Sequence, residues 1–209
     1  MKIAMVGKGT LVGLTALGAL VLNAAPAVAQ VEAGSQEVDI YAGEFFGGDL
    51  TDTAISGRKP TLNDDLTYGF RYGYNFTDSW GTELSLGNTA TSVSHLPRGD
   101  RDFDLSTLDI DAVWHFNSGT RLVPYVLAGV GYASSNLDNP IRGTVNGRPV
   151  AIGDDDGFTL NAGAGLKYLA SDRVLVRLDA RYRYLDSVTN RFDNSMNTVE
   201  TTLGVGWRF

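Results

Sequence analysis

Residues Leu66 to Phe76 alternate without a break between two kinds of side chain. Leu66, Tyr68, Phe70, Tyr72, Tyr74 and Phe76 share one parity, and Thr67, Gly69, Arg71, Gly73 and Asn75 share the other. A period of two marks a β-strand, because successive side chains there point to opposite faces. What the two faces are made of constrains the fold further. A strand half-buried in a water-soluble sheet hides its large residues and shows charged ones to solvent. Here the second face holds glycines, an asparagine and one arginine, which suits a narrow enclosed lumen where small residues make room and charges pair.

The same contrast returns downstream. Phe158, Leu160, Ala162, Ala164, Leu166 and Tyr168 alternate with Thr159, Asn161, Gly163, Gly165 and Lys167. Val199, Thr201, Leu203, Val205, Trp207 and Phe209 alternate with Glu200, Thr202, Gly204, Gly206 and Arg208. Extending this reading along the chain predicts strands near 37–47, 65–76, 80–88, 105–116, 121–133, 157–169, 173–185 and 197–209. The facing of the first is left open, since Phe45 and Phe46 are adjacent and Glu44 fits either side.

The connections alternate in length. Long ones cover about 48–64, 89–104, 134–156 and 186–196, and short ones are Thr77-Asp78-Ser79, Asn117-Ser118-Gly119-Thr120 and Ala170-Ser171-Asp172, made of turn-forming residues. Long loops on one end and short turns on the other are the habit of transmembrane barrels. Backbone groups inside a bilayer must pair internally, so only helices or closed barrels cross it, and the period of two excludes helices. The aromatics Tyr74, Phe76, Trp80, Trp114, Phe116, Tyr168, Trp207 and Phe209 fall near the short turns, as an interfacial belt would, and Tyr132, Tyr182 and Tyr184 near the opposite ends. The expected fold is all-β: an eight-stranded antiparallel up-and-down transmembrane β-barrel.

Residues 1–29 read as a secretory signal peptide, with Lys2 and Lys8 ahead of an apolar run from Leu11 to Leu22 and small residues before a cleavage point after Ala29. Residues 30–209 then form one barrel domain. Loss of the two lysines takes the formal charge from −7 to −9. So acidic a chain lacks the basic footprint of a nucleic-acid binder, and without cysteine it has no disulfide or thiolate metal site. No cofactor is expected.

The segments YGFRYGYNFTDSWGTELSLG (68–87), PYVLAGVGY (124–132), LNAGAGLKYLASDRVLVRLDARYRY (160–184) and TTLGVGWRF (201–209) together resemble the small outer-membrane barrels that include the transmembrane domain of outer membrane protein A. The resemblance implies an integral outer-membrane protein of a Gram-negative cell, set among outer-membrane lipids and lipopolysaccharide, with periplasmic termini and extracellular long loops. It also implies the barrel-assembly machinery as a partner, through an assembly signal of Leu203, Val205, Trp207 and Phe209. The longest members add a peptidoglycan-binding domain, which this sequence does not continue into, so cell-wall anchoring is not expected.

On this facing the lumen holds Arg71, Glu83, Asp109, Asp111, His115, Lys167, Arg177, Asp179, Arg181, Arg183, Glu200 and Arg208. Unpaired charges are costly in a low-dielectric interior, so a paired network is expected, with His115 held by Asp111 or Asp109. The function this supports is a structural or surface-interacting barrel, not an enzyme. An alternative is a narrow low-conductance pore. A weaker one is a lipid-modifying enzyme, for which His115 with Ser118 and His95 with Ser94 are the only candidates, with no organised acid–histidine–serine spacing. Asp154-Asp155-Asp156 supplies hard oxygens but lacks calcium-loop spacing, and reads as a solvated loop end.

Overall fold

The computed structural model describes residues 30–47, 61–94, 101–137, 141–145, 148–152, 155–185 and 196–209. The expected signal peptide, His95 and Asp154 lie outside these residues. The described strands are β1 (Gln36–Phe46), β2 (Thr61–Leu62), β3 (Asp65–Asn75), β4 (Trp80–Ser94), β5 (Arg101–His115), β6 (Leu122–Leu137), β7 (Ile141–Val145), β8 (Arg148–Ile152), β9 (Asp155–Leu169), β10 (Val174–Leu185) and β11 (Met196–Arg208).

Eight of these close into a barrel. Neighbours pair antiparallel in the order β1, β3, β4, β5, β6, β9, β10, β11, and β11 returns to β1. Starting at Glu37, the register passes through Gly73, Glu83, Asp111, Gly129, Asn161, Arg183 and Thr198. It comes back to β1 one step past the Phe46–Val199 pair, a stagger of ten residues. Closure leaves no free sheet edge, and an eight-stranded tube is just wide enough for its own side chains to fill. Two inward glycines show how tightly: a Cβ on Gly165 would overlap the Tyr125 ring, and one on Gly69 would meet that of Tyr41.

Short turns close one end. Thr77 Oγ1 accepts from the amides of Ser79 and Trp80, and Ser171 Oγ accepts from those of Arg173 and Val174. Asn117 takes the left-handed conformation, with φ 52°, that asparagine tolerates better than most residues. Beside these turns Trp80 and Trp114 meet edge to face with ring centroids 4.3 Å apart, and Tyr74 does so with Phe76 at 5.2 Å. Ile40, Phe70, Leu86, Ile110, Val130, Leu160 and Leu178 cover the outer wall between the two ends.

Three differences from the sequence reading have physical causes. First, β4, β5 and β6 run further toward the long-connection end than expected, so 89–94, 101–104 and 134–137 are strand. There Asn88, Ala90 and Ser92 alternate with Thr89 and Thr91, and the apolar-polar contrast that reveals a strand is absent. Second, β2 pairs with the end of β4, and β7 pairs with β8 as a separate hairpin inside the third long connection. Third, the open question of β1 is resolved: Glu37, Asp39, Tyr41 and Phe45 are buried, while Ile40, Glu44 and Phe46 face outward.

Leu203 sits mid-wall between Ala42 and Leu178, whereas the exposed Asn197 lies near the far rim. Leu203→Arg should cost about 2–4 kcal/mol in a bilayer folding titration and Asn197→Arg about 0–1, the depth dependence of a lipid-facing charge. Equal costs would contradict this orientation.

Candidate functional site

The chemistry of this chain is concentrated inside the tube. All twelve charged or titratable residues picked out for the lumen are buried, and Glu37 and Asp39 from β1 join them. Arg177 is the hub. Its Nη1 lies 2.6 Å from Glu83 and 3.3 Å from Asp39, and its Nη2 and Nε lie 2.9 and 3.1 Å from the two oxygens of Asp179. Arg71 reaches Asp179 at 3.1 Å and Asp39 at 3.4 Å, donates to Thr202 Oγ1 at 2.8 Å, and lies 3.8 Å from the centroid of the Tyr41 ring.

Toward the long connections the network continues. Arg181 bridges Glu83, Asp109 and Asp111 at 3.3, 3.3 and 3.0 Å. Arg183 binds Asp109 at 2.7 Å and also pairs with Glu200. Toward the short turns Lys167 holds Glu37 at 2.5 Å, and Arg208 donates instead to the backbone carbonyls of Asp172 and Gln30. With β1 included, carboxylates outnumber the basic side chains by seven to six. Neutral donors add to the arginines: the Tyr125 hydroxyl donates to Asp179, and Thr159 and Asn161 donate to Asp109.

Most of these pairs bridge strands that are not neighbours, such as Arg183–Asp109, Arg177–Glu83 and Lys167–Glu37. The network therefore ties opposite walls together. Apolar residues bound it on both sides. Val123, Leu169 and Leu175 cluster with Val31 at the short-turn end, while Phe45, Leu105 and Leu185 are buried toward the long-connection end, each no more than 1% exposed.

The expected contact of His115 with Asp111 or Asp109 is not what the structure contains. His115 Nε2 lies 3.0 Å from Lys167 Nζ, beside the Tyr125 ring. Asp111 shares its strand and face but stands four residues away, about 13 Å along a β-strand. Nor does His115 form a serine pair, because its ring is enclosed in the lumen while Ser118 belongs to the turn beyond it. Among the described residues no three His, Cys, Asp or Glu side chains are placed to hold a metal ion.

Sequence reasoning missed Glu37, Asp39, Tyr41 and Tyr125. A signal existed for each. Val38, Ile40 and Ala42 give β1 an apolar lipid face of one parity, and Tyr125 shares its parity with Gly129 and Gly131, which also line the interior.

The family model of the outer membrane protein beta-barrel domain matches residues 14–209. The chain belongs to this family. It is accordingly an integral outer-membrane protein, and the short turns mark its periplasmic end. Outer membrane protein PagN of Salmonella typhimurium is 30% identical over 90 residues, 40% of this chain and 34% of PagN, so the match spans about a third of that relative's length. OprG of Pseudomonas aeruginosa shares the fold with a TM-score of 0.60 at 19% identity, over 87% of this chain and 99% of its own. So does Ail of Yersinia pestis, solved in complex with the heparin analogue sucrose octasulfate, with a TM-score of 0.52 at 22% identity over 85% of this chain and 99% of its own.

Among the described residues, Lys167 and Glu37 form an ion pair that shares neither member with another pair. Lys167→Met alone should cost about 3–5 kcal/mol by stranding a buried carboxylate, while Lys167→Met with Glu37→Leu should recover most of that loss. A double variant as unstable as the single would show that the pair does not set the cost.

Proposed function

We propose that this barrel is a closed membrane anchor that presents its outer strand ends and loops to surfaces outside the cell, and that it is neither a pore nor an enzyme. The observation that carries this reading is the layering of the lumen. A densely paired ionic layer lies above an apolar floor of Val31, Val123, Leu169 and Leu175, and beyond it Phe45, Leu105 and Leu185 are buried among hydroxyls such as those of Thr89 and Ser135. An ion crossing such a path would have to displace paired charges and pass the apolar floor. The structural role of the network, holding opposite walls at fixed separation, follows from the same contacts.

The ligand class we propose for the outer surface is a sulfated polysaccharide. Ail's complex with a heparin analogue supports it. In sequence the long connections also carry Arg58, Lys59, Arg98, Arg142, Arg148 and Arg191, among a larger number of aspartates. Arg and Lys are the side chains that recognise sulfate and phosphate groups. We further propose that Leu203, Val205, Trp207 and Phe209, whose common parity faces outward, act as the recognition signal for the assembly machinery.

Refolded protein in planar bilayers should give no steady single-channel openings, and cells displaying the barrel should bind immobilised heparin more strongly than cells without it. Regular conductance would return the pore reading. Absence of heparin binding would remove the proposed ligand class and leave the anchor. Deleting Phe209 should lower assembly in cells several-fold while leaving refolding in detergent intact, and unchanged assembly would dismiss the terminal signal.

A further inference from the structure

Gln30 to Ser35 precede the first strand. Instead of trailing from β1, this segment crosses the short-turn end and is fastened to every one of the three short turns. The Ala33 amide donates to Asp78 in the β3–β4 turn at 3.0 Å. The Val31 amide donates to the Ser118 carbonyl in the β5–β6 turn at 3.0 Å. The Gln30 carbonyl accepts from the Arg208 guanidinium, whose Nε donates to the Asp172 carbonyl in the β9–β10 turn at 3.0 Å. A further bond runs from the Gly34 amide to the Asn75 carbonyl at 2.7 Å, and Gly34, at φ 86°, supplies the reversal that leads the chain into β1.

One side chain of this strap points into the tube. Val31 is 1% exposed and packs with Val123, Leu169 and Leu175, the inward-facing apolar residues at the periplasmic ends of β6, β9 and β10. These three come from one side of the barrel, and Val31 completes their cluster from outside the wall. Directly above lies the polar layer of Lys167, Glu37 and His115. The strap thus separates water at the mouth from the lowest ion pair of the network.

We propose that residues 30–35 are a releasable strap that gates the periplasmic mouth of the lumen, with Val31 as its stopper. Its attachments are single hydrogen bonds to two turns, bonds to Asn75 and Arg208 at the strand ends, and one buried aliphatic side chain, whereas β1 is held by a full ladder on both sides. The strap can therefore lift while the barrel stays closed, because local openings follow the least-protected contacts. Lifting admits water to Lys167 and Glu37 and frees Arg208 from Gln30, while the ion pairs of Arg71, Arg177, Arg181 and Arg183 do not involve the strap.

The chain has no cysteine, so Val123→Cys reports on the mouth alone. In the refolded protein, labelling of this thiol by a small water-soluble methanethiosulfonate should be slow. It should rise modestly on Val31→Ala and by about tenfold or more on Val31→Asp, provided the barrel keeps its heat-modifiable gel mobility. Labelling that is fast with the native strap, or that is insensitive to residue 31, would overturn the proposal. If Val31→Asp does not fold, the comparison of Val31 with Val31→Ala decides between the same two outcomes.

Discussion

Seven carboxylates and six basic side chains share a tube too narrow to hydrate them, and the rest of the architecture answers to that constraint. Each charge must find a partner across the lumen, so the positions of eight strands are fixed relative to one another by more than the backbone ladder. The glycines on the inner wall follow from the same need. They clear space for Tyr41 and Tyr125, whose rings lie against Arg71 and Arg177, and the Tyr125 hydroxyl donates to Asp179, which both arginines also hold. Burial of the network makes each broken pair expensive.

The outer wall poses the opposite problem and solves it with less specificity. Hydrocarbon asks only that side chains be apolar, and the belt aromatics ask only to sit at the right depth. This division explains why outer-membrane barrels with about one residue in five in common superpose over nearly their whole lengths. Fold is carried by closure and alternation, which many sequences satisfy. Function is carried by the surfaces beyond the membrane, and fold alone does not name it.

How much was legible in the sequence depended on where in the membrane a residue lies. Within the bilayer, lipid on one side and lumen on the other impose different chemistries on alternate residues, and β3, β9 and β11 could be read with their facing. Beyond it the outer face meets water while the inner face stays buried. Thr89 to Ser92 then carry no apolar-polar contrast, and in Asp102 to Leu105 the contrast is reversed, with Phe103 and Leu105 inside, so neither stretch matched the lipid-facing pattern. In β1 a single doublet, Phe45-Phe46, masked an otherwise clear parity, and with it the membership of Glu37 and Asp39. Which charge meets which was not legible at all. The contact of His115 with Lys167 depends on a stagger of ten residues around the wall, a property of all eight strands that no local pattern encodes.

The distribution of charge along the chain bears on how such a barrel comes into being. β10 brings three arginines and one aspartate to the interior, β5 brings two aspartates, and β1 brings a glutamate and an aspartate. Their main partners lie on strands that are not adjacent, so a partly formed sheet in the bilayer would hold clusters of like charge facing one another with nothing between them. Such intermediates are unstable for the reason that makes the finished network stable. Closing the ring is what brings β10 opposite β4 and β5, so the interior is neutralised by the completed tube and not by any pair of neighbouring strands.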